Sequence, residues 1–242
     1  MAEMTITVLC DDINGAMQGF KKDPGFAAAI KTGHEIILFD TGMYAANLSN
    51  NLDAAGIHAE DIDAVILSHN HNDHVDGLTA IFNKNPDIPV YIHNMWEKGI
   101  AFQGMNIPVK NKQKVENPGK QAGLPKNILI TSPLYSADYD GIREQAVMIL
   151  LKNSFIFLCG CCHPGLTDFL ALRESLGIDK EMPFHVLGGM HQFGFPDKEA
   201  VELKSRIQSI ILCHCTHNIE LFKRQFEDKC ELAALGKKYH FE

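Results

Sequence analysis

Four residues of metal-ligand type fall within six positions of this chain: His69, His71, Asp73 and His74 in "SHNHNDHVDG". They follow directly on the apolar run Ala64-Val65-Ile66-Leu67. A run of that length and composition reads as a buried strand. The chain therefore leaves its core at His69 carrying ionisable groups that are expensive to bury without partners. In extended backbone, residues two apart face the same way, so His69 and His71 can point to one side. Asp73 and His74 fall at the turn into a helix beginning near Asp76-Gly77, where adjacent residues reach a second point nearby. Imidazole and carboxylate are ligands of Zn²⁺ and similar divalent ions. A polar loop with exposed histidines would account for one such group, but poorly for four at one strand end.

Other short apolar runs also read as strands: Thr5–Cys10, Glu35–Asp40, Val90–His93, Ile128–Thr131, Ala146–Leu151, Ser154–Cys159, Phe184–Leu187 and Ile210–Cys213. "AVMILLKNSFIFLCG" reads as a hairpin turning at Lys152-Asn153-Ser154. Helical spacing is expected over Asn47–Ala55, Gly77–Phe82, Leu166–Leu176, Asp197–Ile207 and Asn218–Phe226. Strands and helices mixed in this way give an α/β or α+β class with at least two sheet segments. The 242 residues suit one domain spanning 1–242. Residues 94–127 stand apart as a Lys/Gly/Pro-rich loop insertion. Its six lysines against two glutamates make a local excess of about +4 in a chain of net charge −8. A loop of that length is either solvated or a lid that meets an anionic group.

The acidic balance argues against nucleic acid as a partner, since phosphate binding needs a basic surface. No apolar run approaches membrane-spanning length, and "MAEMTITVLCDD" has no signal-peptide pattern. A cytoplasmic protein with a small-molecule substrate is expected, and the oligomeric state is not readable. The seven cysteines cluster at 159, 161, 162 and at 213, 215, with Cys10 and Cys230 alone. That is not a disulfide framework. Reduced thiols are expected, with metal ligation open to a clustered one.

His69, His71, Asp73 and His74 match the HxHxDH motif of the metallo-β-lactamase superfamily, which this chain resembles over essentially its whole length. "IILFDTG", with Asp40, is similar to that family's first motif, and "ALGKKYHFE" to its closing strand. "CGCCHPG", "LGGMH" and "CHCTH" resemble signatures of the branch related to archaeal dihydropterin-ribofuranosylaminobenzene-phosphate synthase, whose bacterial relatives are mostly metal-dependent hydrolases. The resemblance implies a four-layer αββα sandwich with mixed sheets and two divalent metal ions at one edge. Zinc is expected, and iron or manganese are also compatible with the ligands. One site would comprise His69, His71 and His163; the other Asp73, His74 and His214. Asp40 would brace a ligand histidine. The family's bridging carboxylate is replaced by Cys161, a candidate thiolate ligand. Asp73 would also orient the attacking water, and His191 would contact substrate.

The activity so implied is hydrolysis of a small, anionic ester, phosphoester, lactone or thioester by a hydroxide formed at the metal. Two alternatives are a pterin-pathway C–N bond-forming transferase and a metal- or redox-responsive binding protein.

Overall fold

The computed structural model describes residues 4–96 and 99–242. Glu97 and Lys98 of the lysine-rich stretch lie outside the described residues.

One sheet holds seven strands: β1 (Met4–Cys10), β2 (Ala27–Thr32), β3 (Glu35–Phe39), β4 (Ala64–Ile66), β5 (Val90–His93), β6 (Lys112–Val115) and β15 (Lys238–Phe241). Their order is β15-β1-β2-β3-β4-β5-β6. The second sheet comprises β7 (Ile128–Ile130), β10 (Val147–Leu150), β11 (Phe155–Cys159), β12 (Phe184–Gly188), β13 (Ile207–Leu212) and β14 (Cys230–Leu232). It runs β14-β13-β12-β11-β10-β7. A small hairpin, β8 (Leu134–Ser136) with β9 (Ile142–Glu144), lies apart.

The alternation of side chains along each strand explains the layering. Ile37 and Phe39 of β3 enter the central core with Ile66, Ile149, Ile156 and Leu187. Leu38 between them faces the other way, against Leu48 and Leu52 of α1 (Ala45–Ala55), with Leu78 and Ile81 of α3 (Leu78–Phe82) in the same cluster. The second sheet repeats the pattern. Phe155 and Phe157 face outward onto α4 (Leu166–Ala171), α5 (Asp197–Lys204) and α6 (Ile219–Phe226) through Phe169, Leu203 and Phe222. Helices thus cover the outer face of each sheet while the inner faces meet in the central core, and the result is the αββα arrangement that the family resemblance implies. The short helix α2 (Asn72–Val75) sits at the end of β4.

Several expectations need correction. The 94–127 stretch is not irregular throughout, since β6 within it pairs parallel to β5, Val90 opposite Lys112 and His93 opposite Val115. Its lysines hide the strand, because an edge position tolerates the charge that a central one would not. The helix expected to 207 ends at Lys204, and Ile207 already belongs to β13. The helix expected over 166–176 stops at Ala171, followed by a single 3₁₀ turn at Glu174–Leu176. Asp73 and His74 lie inside α2 rather than before the helix. No helix among the described residues is long and apolar enough to cross a membrane.

Candidate metal centre

Parallel strands end together, and the chain places its polar residues where they end. Asp40 follows β3, and Ser68–His71 follow β4. Gly160–His163 follow β11, His191 comes after β12, and His214 after β13. The two sheets thereby deliver ligand-type side chains to one edge of the sandwich.

Asp40 organises the floor. It is fully buried in a left-handed conformation, φ 55°. Its carboxylate accepts the Ser68 N–H at 2.7 Å, the Ser68 hydroxyl at 2.7 Å and Nδ1–H of His74 at 2.7 Å. Because the Ser68 hydroxyl donates to Asp40, its oxygen accepts from Nδ1 of His69 at 2.8 Å. Both histidines therefore present a bare Nε2 to the site. His69 Nε2 lies 3.1 Å from Nδ1 of His71, and His74 Nε2 lies 3.1 Å from Sγ of Cys161.

The loop after β11 is held by Glu144 of β9. One carboxylate oxygen accepts the N–H groups of Gly160, Cys161 and Cys162 at 3.1, 3.0 and 2.9 Å, and the other accepts that of His163 at 2.8 Å. Burial pushes the Glu144 carboxyl up to about 7, against the pull of those N–H groups. Gly160 must be glycine, because a Cβ there would lie 2.2 Å from Ser68 Oγ and 2.8 Å from Asp40 Oδ2.

Two donor triads result. Ligand atoms of His69, His71 and His163 all lie within 4.8 Å of one another, as do those of Asp73, His74 and His214. Cys161 joins His69 and His74 in a third such group. His163 gives Nδ1 to Asp138 at 3.1 Å, which leaves its Nε2 buried with no hydrogen-bond partner. A buried imidazole nitrogen without a partner is costly in an empty pocket and natural in a metal site. The residues present fit a divalent ion.

The electrostatics differ between the triads. Burial, then the neighbouring imidazoles, holds His163 down at about 3, and burial with His74 holds His71 at about 4. These rings are neutral, the form that binds metal. His214 behaves oppositely. Burial works against its charge, but Asp12 at 2.8 Å and Asp73 at 3.0 Å raise it to about 10. Asp73 is itself held below the usual carboxylate range by His74 and His214, despite burial.

Seven expected ligands, His69, His71, Asp73, His74, His163, His214 and Cys161, thus converge at one site, with Asp40 beneath. His191 stands at its mouth, its ring 4.4 Å from that of His163, and the Asp138 carboxylate lies 3.2 Å from His191 Nδ1. Asp168 is exposed on α4 and takes no part. The cavity, about 380 Å³, is lined by His71 and His163 of one triad and Asp73 and His214 of the other, together with Phe102, Tyr139 and Cys215. Residues 102–104 of the lysine-rich stretch dock there, with Asn72 N–H donating to the Phe102 carbonyl at 2.7 Å. None of the stretch's described lysines lines the cavity, and Lys110 instead pairs with exposed Asp87.

Sequence reasoning missed Asp138, Tyr139, Glu144 and Cys215. The turn signature "ADYDG" was available for the first two, and "CHCTH" for the last. Glu144 carried no signal, because its partners are backbone groups. Non-glycine residues with positive φ recur around the site: Asp40, Phe102, Tyr139, Cys162, His191 and Cys215. Such strain persists where the surroundings enforce it, often at functional sites.

A family model described as the metallo-beta-lactamase superfamily matches residues 21–147. The chain is 24% identical to a 7,8-dihydropterin-6-methyl-4-(beta-D-ribofuranosyl)-aminobenzene-5'-phosphate synthase of Methanocaldococcus jannaschii, covering 96% of this chain and 95% of that protein. It is 27% identical to a metal-dependent hydrolase of Geobacillus thermodenitrificans over 64% of this chain and 80% of that one. Among solved structures, a metal-dependent hydrolase of the beta-lactamase superfamily superposes with a TM-score of 0.72 at 22% identity, covering 99% of both chains.

Proposed function

From the premise that this chain belongs to the metallo-β-lactamase superfamily, we propose that it is a metal-dependent hydrolase holding two divalent ions, zinc first. Its substrate would be a small ester, phosphoester, lactone or thioester. The observation that carries this is the pair of adjoining three-donor sets, the first of which holds two buried imidazole nitrogens, His71 Nε2 and His163 Nε2, without a hydrogen-bond partner. His69, His71 and His163 would hold one ion, and Asp73, His74 and His214 the other, with Cys161 between them. When bound, such ions acidify water and polarise a substrate oxygen.

The chain's own residues do the rest. Asp40 and Ser68 fix the tautomers of His74 and His69. Asp138 aligns His163 and His191 through one carboxylate oxygen. Asp73, ionised, is the group that would orient the nucleophilic water. His191 stands at the mouth, Nδ1 toward Asp138 and Nε2 within 3.4 Å of the Tyr139 hydroxyl, where the uncharged ring would take up a proton and hand it on to the leaving group. An anionic substrate would be favoured by the cationic ions themselves, since none of the described lysines of the 94–127 stretch lines the cavity.

Metal content by elemental analysis, beside a screen of phosphodiesters, lactones and thioesters, tests this. About two equivalents of metal and one hydrolysed class are expected, with Asp73→Ala abolishing turnover. Less than one equivalent in carefully purified protein, or turnover unchanged in Asp73→Ala, would sink it.

A second proposal takes its chemistry from the Methanocaldococcus relative, a synthase acting on a pterin. Phe102 and Tyr139, 64% and 45% exposed, meet edge to face at 5.6 Å over the cavity, a setting for a flat ring. Product analysis after incubation with a dihydropterin and an aminobenzene acceptor distinguishes it from hydrolysis.

A further inference from the structure

Two of the seven cysteines stand apart from the rest. Cys159 and Cys162 pack into the apolar cluster outside the second sheet, Cys213 into the central core, and Cys10 into the cluster outside the first sheet. Cys230 lies against the outer cluster of the second sheet. Cys161 and Cys215 instead line the site cavity. Both are free thiols. Their sulfurs and a ring nitrogen of His214 lie within 4.8 Å of one another.

Three local features bring these sulfurs together. The Glu144 carboxylate fixes the backbone N–H of Cys161 at 3.0 Å. Cys215 adopts the left-handed region, φ 60°, which non-glycine residues rarely take unless something requires it. Gly189 lets the loops after the strands close in, because a Cβ there would press on the His214 and Gly160 carbonyl oxygens as well as lie 2.7 Å from Cys215 Sγ. A thiol needed only for packing would not call for a strained backbone at residue 215.

We propose that Cys161 and Cys215 are a pair of thiolate ligands beside His214, so that the second metal position has sulfur as well as nitrogen and oxygen donors. The proposal rests on the metal-centre reading above and adds Cys215 to it. Such a position selects thiophilic ions such as zinc, cadmium or cobalt over magnesium or manganese. On binding, two S–H bonds break and two metal–sulfur bonds form, and the two protons pass to buffer.

The test is titration of cobalt(II) into the metal-free, reduced full chain, without oxygen. An intense near-ultraviolet sulfur-to-cobalt band is expected. In Cys215→Ser the band should fall to about half, as one of two metal–sulfur bonds is lost. Cys161→Ser should do the same, and Cys230→Ser should leave it unchanged. Cadmium absorption in the unaltered chain gives a second readout that needs no variant. Cobalt bound stoichiometrically without a sulfur band, or a Cys215→Ser spectrum matching the unaltered chain, overturns the thiolate pair while the metal centre stands. A chain that retains neither cobalt nor zinc overturns both.

Discussion

The same Asp40 oxygen that takes the Ser68 hydroxyl proton lies 2.7 Å from Nδ1 of His74, with the side chains of Asp40 and His74 fully excluded from solvent. One carboxylate thus sets the tautomers of two candidate ligands, His74 directly and His69 through Ser68. Asp40→Asn places an amide N–H among donors and removes the charge. Metal affinity should fall by roughly 10–100-fold, the usual effect of losing such a partner. Competition for zinc against a chromophoric chelator measures it, and unchanged affinity would show that Asp40 does not act through these histidines.

Gly160 tests the same floor from the other side. An added methyl at residue 160 would press on Ser68 Oγ and Asp40 Oδ2, both buried and already hydrogen-bonded to each other. Neither can swing away without losing a bond. Gly160→Ala should cost about 1–3 kcal/mol of stability, the range for overpacking, and should weaken metal binding as well. Denaturant unfolding of the metal-free chain reads the first effect apart from the second. Unaltered stability would mean that the floor can relax.

The legible parts of this site are those whose signal lies in one stretch of chain. Four ligands within six residues behind an apolar run announce themselves, and short apolar runs give most of the buried strands. β2, built on alanines, and β6, bearing two lysines, escape because their strand state is imposed by neighbours in the sheet. Asp138 reaches His163 across 25 residues, and Glu144 binds backbone N–H groups up to 19 residues away. No local pattern encodes such contacts. His163, His214 and Cys161 were found through family resemblance, which supplies long-range pairing that spacing alone does not.

Glu144 bears on how the loop 160–163 is kept in place. Four N–H groups of that loop converge on its carboxylate. In Glu144→Gln one side of the head becomes a donor facing donors. At least one buried N–H then lacks an acceptor, at a cost of about 1–3 kcal/mol. Thermal unfolding should show the loss, and the variant should also bind less metal, because Cys161 and His163 ride on this loop. A stable variant with full metal content would reduce Glu144 to a bystander.

The metal-free chain should show a dome of stability against pH. His71 and His163 have folded-state values of about 4 and about 3, below the unfolded value near 6.5. The unfolded chain then binds more protons, so their contribution is present above pH 6.5 and lost as pH falls towards 3. His214, raised to about 10, has the opposite sign. Its contribution is complete below pH 6.5 and lost as pH rises through 10. His214→Gln should therefore flatten the alkaline limb and leave the acid limb intact. Thermal scans from pH 4 to 10 in chelator would reveal a dome or its absence. An alkaline limb unaffected by His214→Gln would refute the assignment.

His191 separates chemistry from metal binding. It stands outside both ligand triads, in a separate donor group with Asp138 and His163, and its Nδ1 faces Asp138 while its Nε2 faces Tyr139 at the cavity mouth. Burial lowers its proton affinity below that of a free imidazole, so at neutral pH the ring is uncharged and able to exchange a proton. With φ 40°, its backbone is held where few side chains sit, which points the ring at His163 rather than at solvent. His191→Asn should keep its metal and lower kcat by roughly 10²–10⁴-fold, the range for losing a general acid or base. The acid or base limb of the pH–rate profile should vanish with it. Tyr139→Phe, which removes only the hydroxyl next to Nε2, should shift that limb and cost less. If His191→Asn instead lost metal in proportion to activity, the ring would have to be counted among the ligands.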